Sequence, residues 1–153
     1  MIFKGSGDTV MEMCMEFGDL LDEFRDIFGN ERDKGTKFED LILNYLKLEP
    51  LYASQIKDVW MWSDFPYRSN VGDTGIDLVA KTYADEYWAI QCKFYDSNYT
   101  IKKADMDTFL ATSSKYFFVD GVKTFFSCRL LVSTTDKYSN NAEDVLHNQN
   151  PQV

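Results

Sequence analysis

The chain has little of the residue types on which many catalytic sites depend. It contains one histidine, His147, and three widely separated cysteines, Cys14, Cys92 and Cys128, among 153 residues. No Cys-x-x-Cys spacing is present, so the composition argues against a disulfide framework and against Cys/His zinc sites. A single histidine also makes most Ser-His-Asp schemes improbable. Any hydrolytic chemistry must therefore run on carboxylates, lysine or a metal held by oxygen ligands.

Long apolar runs are absent as well. No window approaches the ~20 apolar residues of a membrane-spanning helix, and the N-terminus lacks the basic-then-apolar pattern of a signal peptide. Hydrophobic residues nevertheless make up 44% of the chain and aromatic residues 16%. This composition predicts one globular domain with a sizeable core, and we expect a cytoplasmic protein with no membrane partner.

Basic residues are scarce relative to acidic ones. Sixteen lysines and arginines stand against 25 aspartates and glutamates, which gives a net charge of −9. Phosphate neutralisation supplies most of the affinity for nucleic acid, so this balance argues against strong unaided binding. It does not exclude a nuclease, because metal-binding carboxylates add negative charge and a partner domain can hold the DNA.

The N-terminal part of the chain predicts two helices. Thr36 begins the second one in a capping-box pattern with Glu39, after a charged loop at Asn30–Gly35, and Pro50 ends it near Leu48. The first helix is amphipathic and acidic outside its apolar stripe, so we expect it to lie away from DNA and to pack on its own core or on a neighbouring domain. The stripe consists of Val10, Cys14, Phe17, Leu21, Phe24 and Phe28.

The rest of the chain reads as strands followed by a helix, a strand and a helix. β-branched and aromatic alternation predicts the strands, and Ala84-Asp85-Glu86 predicts a hairpin turn between the second and the third. The order predicts an α/β fold whose first three strands are antiparallel. The predicted elements are strands Ile56–Trp62, Ile76–Tyr83 and Tyr87–Phe94, helix Lys102–Ser114, strand Arg129–Thr134 and helix Asn140–Asn148.

Three polar residues on the second and third predicted strands suggest a metal site. Gln91 and Lys93 are two apart and share a face, and a hairpin can bring Asp77 onto that face. Asp77 and the amide of Gln91 would offer oxygen ligands to Mg²⁺, and the backbone carbonyl of Cys92 a third. Lys93 would hold or activate the attacking water, or stabilise charge developing on a phosphate.

These residues resemble the PD-(D/E)XK nuclease superfamily, in its Mrr-like branch. The matching stretches are G-D-T-G-I-D-L-V-A and A-I-Q-C-K. The family pattern has an acid at the start of the second core strand, here Asp77, and an acid or glutamine two residues before a lysine on the third, here Gln91 and Lys93. Family members also carry an acid on the helix before the strands, and Glu39 in G-T-K-F-E-D-L matches it.

Longer runs resemble a narrower group, the N-terminal nuclease domains of single-chain type ISP restriction-modification enzymes. The runs are A-I-Q-C-K-F-Y, I-K-K-A-D-M-D-T-F-L and R-L-L-V-S-T-T-D-K-Y-S-N-N-A-E. The resemblance implies a restriction-endonuclease-like core with a mixed central sheet, flanked by helices, over residues 36–153. Residues 1–35 then form an added N-terminal helix and loop, and the chain is expected to be a fragment of a longer one.

The same resemblance implies the activity and the partners. We expect a DNA endonuclease that uses Mg²⁺, with Mn²⁺ as a substitute, and metal ligands among Asp77, Gln91, Cys92 and Glu39. A helicase-like motor, a methyltransferase and a target-recognition domain of the same polypeptide would be its partners.

Other interpretations remain open at this stage. Gln91 stands where the superfamily usually has a carboxylate, and with the charge of −9 this favours an inactive docking or DNA-clamp module as the alternative function. A third possibility, a stand-alone junction or repair nuclease, needs a dimer and a basic face. The capping box by itself accounts for Glu39. Lys102, Lys103 and Thr134 are candidates for DNA contacts, although a solvated helix end equally accounts for the two lysines.

Overall fold

The computed structural model describes residues 31–68 and 75–148, so the predicted helix from Val10 to Phe28 lies outside the described residues. The described chain alternates between helices and strands. In order they are α1 (Glu31–Leu48), α2 (Pro50–Ala53), β1 (Ile56–Met61), β2 (Leu78–Thr82), β3 (Tyr87–Lys93), α3 (Asp107–Ser113), β4 (Phe117–Val119), β5 (Val122–Thr124), β6 (Phe126–Ser133) and α4 (Asn140–His147).

Four of the strands form a mixed sheet in the order β1-β2-β3-β6. The first three are antiparallel, and β6 runs parallel to β3. A parallel pair needs a crossover connection, which here contains α3 and the β4–β5 hairpin. The predicted mixed central sheet flanked by helices is therefore confirmed. Because Lys93 pairs with Ser133, β3 and β6 end at the same edge of the sheet.

Helix α1 covers one face of this sheet. Its inward residues recur every four positions, which places them on one side of the helix. Phe38, Ile42 and Leu46 are fully buried, and the ring of Phe38 meets that of Phe94 edge to face at 5.5 Å. The sheet contributes the alternate residues that point toward α1, namely Leu78, Ala80, Ile90, Cys92 and Val132.

Helices α3 and α4 cover the opposite face. Phe109 of α3 and Ala142 of α4 pack there with Val79 and Ala89, which alternate with the residues that face α1. Phe65 is buried in the same cluster and lies within 6 Å of five other aromatic rings, namely Trp60, Trp62, Tyr67, Tyr87 and Phe117. The sheet is thus a layer buried between two helical layers, as alternation on both faces requires.

The charged loop and the capping box predicted before α1 are wrong. The helix already includes Glu31, so Gly35 and Thr36 lie inside it. Glutamate, arginine and lysine are good helix formers, and they favour a helical first turn before the part of the helix that packs on the sheet. The end of this helix at Leu48 before Pro50 is confirmed. Glu39 consequently loses the capping role that would have explained it.

The predicted helix Lys102–Ser114 is divided in two. A short 3₁₀ turn, Lys103–Asp105, precedes α3. The Asp105 carboxylate accepts hydrogen bonds from the Lys102 N–H at 2.7 Å and from the Tyr99 hydroxyl at 3.0 Å. Local bonds of this kind give the backbone an alternative to α-helix, so the regular helix begins only afterwards.

The β4–β5 hairpin was not predicted. Its turn is Asp120-Gly121, with φ values of +49° and +83°. Asp-Gly between two apolar residues is a strong signal for a two-residue hairpin turn, so the sequence carried a usable indication. The last strand also begins earlier than expected, at Phe126 instead of Arg129.

Among the described helices, none is long and apolar enough to cross a membrane.

Gly75 and Gly121 provide a matched pair for testing the packing of α3. Both have positive φ, +66° and +83°, but an added Cβ would lie 2.8 Å from the Phe109 backbone nitrogen at Gly75 and would meet nothing within 4 Å at Gly121. Gly121→Ala should cost about 1–2 kcal/mol, the penalty of left-handed backbone. Gly75→Ala adds a steric clash and should cost about 2–4 kcal/mol in urea unfolding. Equal losses from the two variants would contradict the close packing.

Candidate active site

The β2–β3 hairpin sets Asp77 opposite Gln91. Leu78 pairs with Ile90, so Asp77 and Gln91 are the next residues across the two strands. Asp77 lies just before β2, because the strand begins at Leu78 and not at Ile76 as the sequence predicted. Its N–H donates to the Ile90 carbonyl at 2.9 Å, and its carbonyl accepts from the Trp62 N–H at 2.8 Å. The backbone of Asp77 is therefore held between β3 and the end of β1.

The carboxylate of Asp77 extends the hydrogen bonding of β3 beyond the start of β2. Its Oδ2 atom accepts a bond from the Cys92 N–H at 2.7 Å, a short and charge-assisted contact. A side chain thus takes the place that a backbone carbonyl would occupy in a longer strand. The bond fixes the carboxylate at the edge of the sheet, directly beside Gln91.

Gln91 is buried with an unsatisfied oxygen. Its side chain is 2% exposed, and its Oε1 atom has no hydrogen-bond partner. Only one other buried side-chain polar atom within the described residues, Ser113 Oγ, shares this condition. Such groups are rare in folded proteins because an unpaired buried acceptor is costly. A cation at this position would satisfy the amide oxygen.

Glu39 of α1 contributes a second carboxyl group to this end of the sheet. Burial, the charge of Asp77 and the charge of Asp40 raise its pKa from 4.5 to about 7, while Lys93 acts in the opposite direction. Glu39 is therefore electrostatically coupled to both Asp77 and Lys93. The structure thus brings together the four side chains that the sequence singled out, Glu39, Asp77, Gln91 and Lys93.

The backbone of Cys92 is oriented toward the same group. In a strand, the N–H and the C=O of one residue point to the same neighbour, so the Cys92 carbonyl faces the side on which its N–H meets Asp77. The thiol does not share this role. Cys92 is buried, and desolvation together with the charge of Asp77 raises the pKa of its thiol well above the usual value. The thiol therefore stays neutral and packs against α1.

These donors are all hard oxygen atoms. Among the described residues, no group of three or more His, Cys, Asp or Glu side chains could hold a metal. The available set is two carboxylates, one amide oxygen and one backbone carbonyl. Carboxylate and carbonyl oxygens suit Mg²⁺ and Mn²⁺, whereas softer metals prefer sulfur or imidazole. The unpaired Gln91 oxygen beside the Asp77 carboxylate fits a divalent cation of this class.

The residues considered for DNA contact lie in different surroundings. Lys102 and Lys103 are exposed, and the Lys103 ammonium forms an ion pair with Asp107 at 2.6 Å. Thr134 is buried, and its hydroxyl bonds both the N–H and the carbonyl of Tyr95 at 2.7 Å. This internal role of Thr134 was not predicted from the sequence. Contacts of the three residues with DNA stay predictions.

The family model for restriction endonucleases, Mrr_cat_2, matches residues 47–153. The chain therefore belongs to the restriction endonuclease family, a class of hydrolases that cleave phosphodiester bonds within DNA. Three of the four clustered residues fall inside the matched segment, and Glu39 falls before it.

One solved structure resembles the chain over most of its length. It is described as the ATP-dependent Type ISP restriction-modification enzyme LlaBIII bound to DNA, with a TM-score of 0.65 and 29% sequence identity. The match covers 86% of this chain and 8% of that one, so the chain spans a small part of the similar enzyme. No curated protein sequence matches the chain.

The raised pKa of Glu39 predicts a loss of stability as pH rises. Between pH 4.5 and about 7 the folded protein keeps a proton that the unfolded chain releases, so unfolding becomes easier across this window and stays so above it. Without divalent metal, Glu39→Gln should match the parent protein near pH 4.5 and melt higher near pH 8. The exposed Asp58→Asn on β1 makes the same change in net charge and serves as the control. Equal melting shifts for both variants would contradict the prediction.

Proposed function

We propose that this chain is the nuclease domain of an ATP-dependent restriction-modification enzyme and that it hydrolyses DNA phosphodiester bonds with Mg²⁺, for which Mn²⁺ can substitute. The observation that carries the proposal is the buried, unpaired Gln91 oxygen beside the fixed carboxylate of Asp77. Membership of the restriction endonuclease family supports the reaction class. The oxygen donors favour a hard divalent cation.

Four groups would hold the cation. They are the carboxylates of Asp77 and Glu39, the amide oxygen of Gln91 and the backbone carbonyl of Cys92. When bound, the cation supplies a Lewis acid for the scissile phosphate and lowers the pKa of a coordinated water. Glu39 has a raised pKa, so it must release its proton to act as an anionic ligand, and metal affinity should increase as pH rises through about 7.

Lys93 would provide the positive charge of the site. It is half-buried at the end of β3 and electrostatically coupled to Glu39. A protonated lysine has three donors and no acceptor, so it can bind the attacking water or the phosphate oxygens. Fixed donors near an oxyanion stabilise the negative charge that develops during phosphodiester cleavage. We assign this role to Lys93 and no acid–base role to His147.

The remaining domains of a longer polypeptide would deliver the DNA. The net charge of −9 leaves this chain with little electrostatic attraction for phosphate. The similar enzyme is ATP-dependent, and this chain covers 8% of it. A helicase-like motor, a methyltransferase and a target-recognition domain would therefore hold and move the DNA, while Lys102 and Lys103 make local phosphate contacts.

Asp77→Asn tests the function with little disturbance of the fold. The asparagine oxygen can still accept the Cys92 N–H bond, but the anionic ligand is lost. Plasmid cleavage by the full-length enzyme should fall at least ~100-fold, since metal-centred stabilisation contributes several kcal/mol. ATP hydrolysis and DNA binding by the other domains should remain. Asp58→Asn, which removes an exposed carboxylate on β1, should cleave normally.

Two outcomes would redirect the proposal. Cleavage by Asp77→Asn at the parent rate would rule out Asp77 as a metal ligand. A parent enzyme that binds DNA but cuts it with neither Mg²⁺ nor Mn²⁺ would favour the inactive DNA-clamp module instead.

Variants of Gln91 test the metal site independently of cleavage. Gln91→Glu keeps nearly the same shape and adds a charge, so it should bind Mg²⁺ about tenfold more tightly in calorimetric titration. Without metal it should melt lower, because a buried carboxylate would adjoin Asp77 and Glu39. Gln91→Met removes the ligand oxygen and should weaken Mg²⁺ binding. Parent-like affinity in Gln91→Met would show that Gln91 does not bind the cation.

A further inference from the structure

The lysine of the candidate site lies on β3 beyond the point where the neighbouring strand β2 begins. Strand β2 begins at Leu78, opposite Ile90, and the Asp77 carboxylate accepts a bond from the Cys92 N–H just outside it. Lys93, one residue further, pairs with Ser133 of β6. The direction of the Lys93 side chain therefore depends on how β3 is held against the end of β6.

Thr134 makes three hydrogen bonds to this end of β3. Its N–H donates to the Lys93 carbonyl at 3.2 Å. Its hydroxyl accepts from the Tyr95 N–H and donates to the Tyr95 carbonyl, both at 2.7 Å. Thr134 is buried, so water does not readily replace these bonds. One side chain thus pairs both backbone groups of the residue that lies two positions after Lys93.

We propose that Thr134 is a positioning residue for Lys93. Its hydrogen bonds hold the backbone from Lys93 to Tyr95 against the end of β6, and this backbone sets the direction of the Lys93 side chain. The inference rests on the proposed function, in which Lys93 acts during phosphodiester cleavage. A lysine ammonium sits on a flexible stem, so its placement depends on the direction set by its own backbone. The Thr134 hydroxyl has one proton and donates it to the Tyr95 carbonyl, so the hydroxyl in this arrangement does not donate to a DNA phosphate.

The neighbouring Thr135 provides a matched control. It is also buried, and its hydroxyl donates to the Tyr99 carbonyl at 2.8 Å. This bond holds a more distant part of the same loop and does not involve Lys93 or Tyr95. Thr135→Val therefore removes a buried hydroxyl next to Thr134 and leaves the Lys93–Tyr95 clamp in place.

The experiment compares Thr134→Val, Thr134→Ser and Thr135→Val in the full-length enzyme. Thr134→Val should lower kcat for plasmid cleavage about 10–100-fold, as expected for a misplaced catalytic group. The KM for DNA and the affinity for Mg²⁺ should stay within about twofold of the parent values, because the substitution changes none of the residues proposed to bind DNA or the cation. Thr134→Ser keeps the hydroxyl and should restore kcat to within about threefold. Thr135→Val should lower the melting temperature but keep kcat within the same factor.

Parallel assays of Asp77→Asn and Lys93→Ala separate this proposal from the proposed function. If those two lose cleavage while Thr134→Val keeps the parent kcat, the positioning role is refuted and the nuclease function stands. Equal kcat losses from Thr134→Val and Thr135→Val would also refute it, since the hydroxyls would then contribute to folding alone. If Lys93→Ala cleaves at the parent rate, Lys93 has no catalytic role and the positioning proposal fails with it, while the nuclease function is still decided by Asp77→Asn. Thr134→Ala, which adds no volume, replaces Thr134→Val should the latter not fold.

Discussion

The hydrogen bond from the Cys92 N–H to the Asp77 carboxylate is the contact on which the candidate site depends. At 2.7 Å it continues the hydrogen bonding of β3 beyond the start of β2, with a side chain in place of a strand. If a backbone carbonyl accepted the bond from the Cys92 N–H instead, the bond would not hold a carboxylate at this end of the sheet. Because the bond uses an ionised acceptor, it is stronger than the backbone bond it replaces. It holds an anion beside Gln91 and orients the Cys92 carbonyl toward the same place.

In the absence of a bound cation, the site holds polar groups whose arrangement is unfavourable for the folded protein. Burial, and after it the negative charge of Asp77, raises the pKa of Glu39 to about 7. The Gln91 oxygen is buried without a donor. Each is a cost to the folded state, and one divalent cation would relieve both. The arrangement illustrates how a functional site retains polar groups that a purely structural core would exclude. A neutral amide in place of a third carboxylate limits this repulsion.

Local signals explain both the accurate and the inaccurate parts of the sequence interpretation. Alternation over β2 and β3 correctly placed Gln91 and Lys93 on one face, because a period of two follows from the pleat itself. The capping box at Thr36 was wrong because the pattern is equally compatible with a helix interior, and only the continuation from Glu31 decides between them. The Asp-Gly turn of the β4–β5 hairpin was overlooked, although its two residues carry the signal for positive φ.

The sequence by itself determined the α/β class, the order of the central strands along the chain and the residue types of a hard-metal site. These depend on periodicity and on side-chain chemistry, which are local properties. Only the tertiary structure decided that the Asp77 carboxylate bonds the Cys92 N–H, that Gln91 is buried without a donor, and that Glu39 reaches the site from α1. It also assigned the Thr134 hydroxyl to Tyr95, 39 residues away. Such contacts join distant segments, and their geometry follows from how the helices and the sheet pack.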